Sequence, residues 1–405
     1  MDGMTAEQRA LRDQARALAQ EAAAQAAETD RTEQYPWPMV RRLTEAGFMG
    51  MTIPRDHGGR GLSYFDAVLV IEELAKACAV CGRIAVEANM GAIGAIMAYG
   101  TEAQKRLAAA LVLAGDKPAI CITEPEAGSA ASDMTTRAVR HGNVWVIDGV
   151  KHWITGAGVS RLHLVFARAI EHGEDQGIAG FLVVRHAEND PPGLVVHHRH
   201  RAMGLRGIPE AEIRFQGLEV PDHMVLRAPG FDQRGGWARG FGRLMDAYNG
   251  QRVGAATVAL GIAAGAYQHA LDYAQRRRQF GRPIAEFQGI GWMLADMSIK
   301  LEAARGLVWR AARSAGPAGF PDRLAAAQAK VLAADTGVEV TNMALQIWGA
   351  AGYSRDNPLE RAVRDARMFP IAGGTAQVLR TQVAEQLLGR KLPQTRDGFS
   401  RLAAE

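Results

Sequence analysis

The chain has 405 residues, 48% of them hydrophobic and 22% charged, enough to bury a large core and to form two or three domains. Its 47 basic and 43 acidic side chains leave a formal charge of +4 spread along the whole length, which excludes the basic tail or stripe of a nucleic-acid binder and suits a small anionic ligand. No uninterrupted apolar run reaches the roughly 18 residues of a spanning helix, and the start MDGMTAEQRALRDQ lacks the basic and apolar stretches of a signal peptide, so a cytoplasmic protein is expected.

The first hundred residues read as helical. Thr5 and Gln8 make a capping box, and Leu11, Ala15, Leu18 and Ala22 follow at helical spacing. Ile53 to Gly61 carries a proline and three glycines and marks a loop. Val68, Ile71, Leu74 and Cys78 predict a second helix, and Cys78 and Cys81 form a C-x-x-C pair with no second pair or histidine pair at metal spacing. Core packing, with no metal, is the expectation for that pair. Three cysteines cannot build a disulfide framework, which fits a reducing compartment.

From about residue 118 the texture becomes β-rich. Asp148-Gly149, between Val144 to Ile147 and Val150 to Ile154, predicts a tight hairpin turn. Short runs at Leu162 to Phe166, Phe181 to Val184, Leu194 to His197 and Ile213 to Val220 complete a small antiparallel β-domain. His197 to Arg201 reads as a solvated basic loop. Helical patterns return over Gln251 to Tyr273, Phe287 to Ala315, Pro321 to Ile347 and Ala376 to Leu388, suggesting an antiparallel bundle. The expected domains are therefore 1–117 (helical), 118–234 (β) and 235–405 (helical bundle), an α+β chain with no strand-helix alternation.

Common chemical signatures are absent: no G-x-G-x-x-G after a strand, no P-loop, no G-x-S-x-G and no H-E-x-x-H. What stands out is a series of dispersed segments. Ile122-Thr123-Glu124-Pro125-Glu126-Ala127-Gly128-Ser129, Trp153-Ile154-Thr155, Arg277-Arg278-Gln279-Phe280-Gly281 and Arg364-Asp365-Ala366-Arg367 resemble, in order and spacing, the signatures of the acyl-CoA dehydrogenase superfamily. The resemblance runs from about residue 5 to residue 390. It implies a helical domain, a middle antiparallel β-barrel and a four-helix bundle, assembled as a homotetramer that binds FAD and an acyl-CoA and neither nucleic acid nor membrane.

Cofactor residues implied by the resemblance are Ile122, Thr123, Ser129, Trp153, Ile154, Thr155, Arg277, Phe280, Gln288, Gln346, Gly349, Ala350, Thr375 and Gln377. Their chemistry agrees: the threonines offer donors for ring polar atoms, Trp153 an aromatic face, and Arg277 a fork for the pyrophosphate held by a neighbouring subunit. Ala350 departs from the family's usual second glycine. Ser129, Tyr248, Asn249, Gln251 and Arg252 are implied on the CoA side.

Acyl-CoA oxidation needs a carboxylate to take the α-proton. Most of the family carries a glutamate just before a Gly-Thr pair, where this chain has Gly373 in Ile371-Ala372-Gly373-Gly374-Thr375; some relatives place it just before the arginine matching Arg252, where this chain has Gln251. Both positions lack a base. The combination resembles the 3-sulfinopropionyl-CoA desulfinase branch, with Ala247-Tyr248-Asn249, Ala130 after Ser129, and the tail Lys391 to Gly398. That resemblance implies sulfite release without net redox change and assigns sulfinate binding to Arg83, expected just after an apolar helix. Alternatives are oxidation of a short dicarboxylyl-CoA such as succinyl-CoA with Glu87 or Asp246 as base, or a flavin monooxygenase or non-catalytic flavoprotein.

Overall fold

A computed structural model describes residues 3–186, 189–227, 236–315 and 319–392. Six helices lead: α1 (Ala6–Thr32), α2 (Trp37–Glu45), α3 (Tyr64–Ala77), α4 (Ala79–Asn89), α5 (Ala92–Tyr99) and α6 (Glu102–Leu113). The capping box at Thr5 and Gln8 is present in both directions, and Ser63 with Asp66 and Thr101 with Gln104 repeat the device at α3 and α6. Cys78 alone, in extended conformation, separates α3 from α4. The three cysteines are unpaired and buried, Cys78 and Cys81 inside the helical core as expected of packing residues.

Arg83 therefore does not follow an apolar helix but sits in the middle of α4, every residue of which is buried. The stretch 79–99 is apolar enough, by composition, to pass for a membrane span, which the run-length reading of the sequence missed because Arg83 and Glu87 interrupt it. An 18-residue window within it is 89% buried inside the protein, and the stretch is core.

The strands are β1 (Ala119–Cys121), β2 (Arg137–His141), β3 (Val144–Thr155), β4 (Leu162–Glu171), β5 (Glu174–Val184), β6 (Leu194–Arg199), β7 (Glu210–Pro221) and β8 (Val225–Leu226). They form one sheet in the order β6-β7-β3-β2-β4-β5-β8, with β1 paired to β4 off that path. Two expectations are corrected. β1 and β2 run parallel to β4, so the sheet is mixed rather than antiparallel, and among the described residues no pair between β6 and β8 closes it into a barrel. Asp148-Gly149 is not a turn: β3 passes straight through it, and the hairpin turn falls at Gly142 and Asn143. Gly149 (φ 148°) instead sits at a register shift against β7, where a Cβ would lie 2.5 Å from Thr136 Oγ1. Glycine was read correctly as a backbone exception, but the exception is a bulge, which bends a strand without ending it.

Both faces of the sheet are covered. Along β4, Leu162, Leu164 and Phe166 join the helical core, while Val165, Ala167 and Ala169 join a second cluster with Trp145, Phe181 and Phe215. The two-residue period thus ties the sheet to the helices on one side and to its own packed interior on the other.

The last third contains α7 (Gly236–Arg276), α8 (Gln288–Arg313), α9 (Arg323–Trp348), α10 (Ala350–Tyr353), α11 (Pro358–Ala366) and α12 (Ala376–Leu388). α7 is central, packing on α3, α4, α8, α9 and β5. Its approach to α3 depends on small residues: a Cβ on Gly265 would stand 2.2 Å from the Lys76 carbonyl oxygen, and one on Gly261 would stand 2.7 Å from that of Glu72. The Arg364-Asp365 pair is a structural staple. Arg364 holds Asp30 of α1 through two bonds of 2.9 and 2.7 Å, and Asp365 Oδ1 accepts the Leu205 amide at 2.6 Å. Gly265→Ala should drive backbone against backbone and lower stability by about 1–3 kcal/mol, the usual cost of overpacking. The check is the urea midpoint, and an unchanged midpoint would contradict the close α3–α7 approach.

Candidate active site

The residues expected at the flavin ring gather at one end of the sheet. Lys151 on β3 reaches across to the segment after β1, donating to the Ile122 carbonyl at 2.9 Å and to Glu124 at 2.8 Å. Glu124 also accepts the amides of Thr135 and Thr136 and the Thr135 hydroxyl. Burial opposes its charge, yet these donors hold its carboxyl at about 2. It is thus a fixed anion that pins the Thr123 turn to β3, and the Thr123 carbonyl accepts the His152 amide at 2.8 Å. Trp153, next along, has φ 56° and is half exposed. A tryptophan in the left-handed region is strained, and strain of this kind concentrates at functional sites.

His200 stacks on Trp153 with ring centroids 4.1 Å apart. The basic run His197 to Arg201 is therefore no free loop: its first three residues end β6 and His200 packs on the aromatic face. Ile154 is buried in the sheet interior, so that position offers only its backbone, whereas Thr155 is partly exposed. Ser129 lies exposed on the turn.

The remaining cofactor candidates lie on the outer surface of the C-terminal helices. Arg277 at the end of α7, Phe280 (93% exposed, φ 51°) and Gln288 at the start of α8 are solvent-facing. So are Gln346, Gly349, Ala350 and Gln377, while Thr375 caps α12 by accepting the Val378 amide. These two groups stand on separate elements.

Beneath the sheet end lies a buried charged cluster. Arg83 and Glu87, one turn apart on α4, pair at 2.7 Å. Gln251 on α7 donates to the same Glu87 oxygen at 2.8 Å. Arg252 donates to Asn249 Oδ1 at 2.7 Å and lies 5.5 Å above the Tyr248 ring. All of these except the partly exposed Tyr248 are buried. Three polar atoms here have no partner: Arg83 Nε, Gln251 Oε1 and Arg252 Nε. Unpaired buried donors and acceptors are costly, and three of them on α4 and α7 make this cluster the candidate for a polar ligand.

Gly373 has φ 75°, and a Cβ there would meet nothing within 4 Å. Gly374 follows with φ 91°, its carbonyl held at 2.6 Å by Lys330 of α9. Burial, with Arg252 and Arg83 adding repulsion, brings the Lys330 ammonium down to about 7.

Three residues escaped the sequence reading. Lys330 was legible in principle, since it shares one apolar helix face with Ala326, Ala329 and Ala333. Lys117 and Glu210 were not. Lys117 Nζ is buried 3.3 Å from the Thr155 carbonyl, and Glu210 lies opposite Thr155 in the strand pairing and takes its hydroxyl. The competing bases fare unequally: Asp246 is exposed, and the Glu87 oxygen already accepts from two donors.

The acyl-CoA dehydrogenase N-terminal, middle and C-terminal domain models match residues 5–116, 119–218 and 238–388. The chain is 62% identical to the 3-sulfinopropanoyl-CoA desulfinase of Variovorax paradoxus, covering all of both chains. It is 64% identical to the protein of that name from Paraburkholderia xenovorans, over 97% of this chain and 99% of the relative. Among solved structures, the butyryl-CoA dehydrogenase of Megasphaera elsdenii superposes with a TM-score of 0.87 at 31% identity, covering 95% of this chain and 99% of that one. Full-length family matches and a shared three-part architecture thus place this chain in the acyl-CoA dehydrogenase family, whose members act on acyl-CoA substrates and whose membership implies a flavin.

Proposed function

We propose that this chain is a flavin-dependent desulfinase that converts 3-sulfinopropanoyl-CoA into propanoyl-CoA and sulfite, with FAD as the flavin. The observation that carries the proposal is the pairing of an unfilled base position with an anion site: Gly373 opens on empty space, while Arg83 keeps a buried Nε without a partner. The names borne by the relatives support the same substrate.

The donor set fits a flavin. A strained, half-exposed Trp153, the partly exposed Thr155 and the pinned Thr123 turn offer a face and polar edges, and a bound flavin supplies an electron-accepting ring beside the substrate. Exposed Arg277 and Phe280 suit a cofactor shared with a neighbouring subunit of a homotetramer, as do the exposed Trp292 and Ile299 on α8.

Arg83 holds the sulfinate through Nε and Nη while Glu87 fixes its other edge, because a buried anion needs a charge-assisted, directional partner. Gln251 orients Glu87 and keeps a buried Oε1 without a partner, packed against Gly91, where a Cβ would stand 2.5 Å from it. Arg252 and Asn249 serve the thioester side. Water is consumed and the atoms balance: the carbon-sulfur electron pair stays on carbon, a proton joins it, and the sulfur leaves as SO₂, which hydrates to bisulfite. Without a carboxylate at 251 or 373, the α-proton of the thioester is left in place.

Anaerobic incubation with 3-sulfinopropanoyl-CoA should yield free sulfite and propanoyl-CoA in equal amounts; sulfite at the level of the enzyme-free control sinks the proposal. Arg83→Ala should lower kcat/KM on the order of 10²–10³-fold, the cost of truncating one side of a buried charge pair, with the flavin spectrum unchanged. Gly373→Glu accepts about 1–2 kcal/mol of left-handed strain and places a carboxylate in open space. It should let butanoyl-CoA bleach the flavin anaerobically while sulfite release falls. Wild-type sulfite release with no bleaching would remove residue 373 from the site.

A further inference from the structure

Glu210 is 9% exposed and lies behind Thr155, which itself is partly exposed. Both carboxyl oxygens stand at hydrogen-bond distance from the single Thr155 hydroxyl, at 2.8 and 2.9 Å. One hydroxyl proton cannot satisfy a buried carboxylate, which ordinarily gathers several donors. The contrast with Glu124 is direct, since that carboxylate collects four.

The groups facing Glu210 are few. Lys117 approaches from the segment before β1, bonded to the Thr155 carbonyl and lying over Gly156, where a Cβ would stand 2.1 Å from Nζ. Arg83 and Glu87 face it from α4, and Tyr248 from α7. On its own strand Glu212 is bound by Arg214, and the ring of neighbouring His200 is stacked on Trp153. Burial first, then Glu87, raises the Glu210 carboxyl to about 7 against the pull of Arg83, Thr155 and Lys117.

We infer that Glu210 is a positioning residue whose protonation sets the direction of the Thr155 hydroxyl, and so decides whether that hydroxyl donates outward from the sheet end or only accepts there. As a carboxylate, Glu210 accepts the Thr155 hydroxyl hydrogen bond and leaves the hydroxyl lone pairs pointing outward. As a carboxylic acid, it donates to Thr155 Oγ1 and frees the Thr155 proton to point outward. Because both oxygens are already in place, the change needs one proton from solvent and no heavy-atom movement. This builds on the proposal that the flavin ring lies against Thr155, where the hydroxyl would meet a polar edge of the ring.

Linkage gives the sign. A carboxyl raised from 4.5 to about 7 by folding binds its proton more tightly folded than unfolded, so its contribution to stability is full below pH 4.5 and is lost as pH rises through 7.

The test combines infrared difference spectroscopy on the flavin-free protein with a pH titration of the visible spectrum of the flavin-loaded one. Wild type should show a protonated-carboxyl band that disappears between about pH 6 and 8, and a flavin spectrum that shifts over the same range. Glu210→Gln should lack the band and have a spectrum independent of pH. Thr155→Val should keep the band and lose the spectral shift, which separates orientation through the hydroxyl from a direct charge effect. A missing band in wild type, or a spectral shift that survives in Glu210→Gln, overturns the inference. A band that titrates as expected in a wild-type protein that binds no flavin would sustain the Glu210 titration and overturn the placement of the flavin against Thr155.

Discussion

A guanidinium taken out of water must be matched, and the proposed chemistry rests on the incomplete way in which Arg83 is matched. Glu87 engages Nη2 and Gln251 shares the same carboxylate oxygen, so the pair is oriented from both sides while Arg83 Nε is left unpaired. A second carboxylate in place of Gln251 would set two like charges side by side and neutralise the arginine. The amide supplies the hydrogen bond without the charge. With Arg252 and the ammonium form of Lys330 also buried nearby, the cluster keeps an excess of positive charge and suits an anionic ligand.

That cluster is positioned by helix packing that leaves little freedom. The single extended residue Cys78 redirects the chain between α3 and α4, and Gly82 packs so tightly on Ala75 that a Cβ would stand 2.8 Å from the alanine methyl. α7 brings Gln251 and Arg252 to the same place, while its glycines allow the approach to α3. Above them the sheet contributes Trp153 and Thr155 from one end of β3, held by the Lys151 and Glu124 pair. The buried cluster thus lies where α4, α7 and the end of the sheet meet, and the Arg364 staple adds a tie from α11 to α1 and to the Leu205 loop.

Periodicity made the long helices legible, because a buried stripe repeats over many turns and survives local exceptions. Thr5 and Gln8 announced the start of α1 for a similar reason: the capping box is a local hydrogen-bond exchange. Asp148-Gly149 misled because a turn and a bulge both ask for glycine, and only the pairing partner distinguishes them. The site divided along the same line. Gly373 and Gln251 were visible as absences against a family pattern. Glu210 was invisible, since nothing in a sequence says that a strand-edge glutamate will face inward under a threonine from a segment 55 residues away.

The empty base position has consequences beyond the lost oxidation. At Gly373 and Gly374 two successive residues have positive φ, and Lys330 fastens the second by its carbonyl, so the loop is held without a side chain at either position. On the proposed reading, a site without a carboxylate at this position leaves the α-proton on the substrate. Under the proposal, the point of attack left on a three-carbon sulfinate is the carbon-sulfur bond beside the group that Arg83 would hold. Selectivity for carbon-sulfur cleavage would then arise, under the proposal, less from a new catalytic group than from closing the competing oxidation in a site for the same class of molecule.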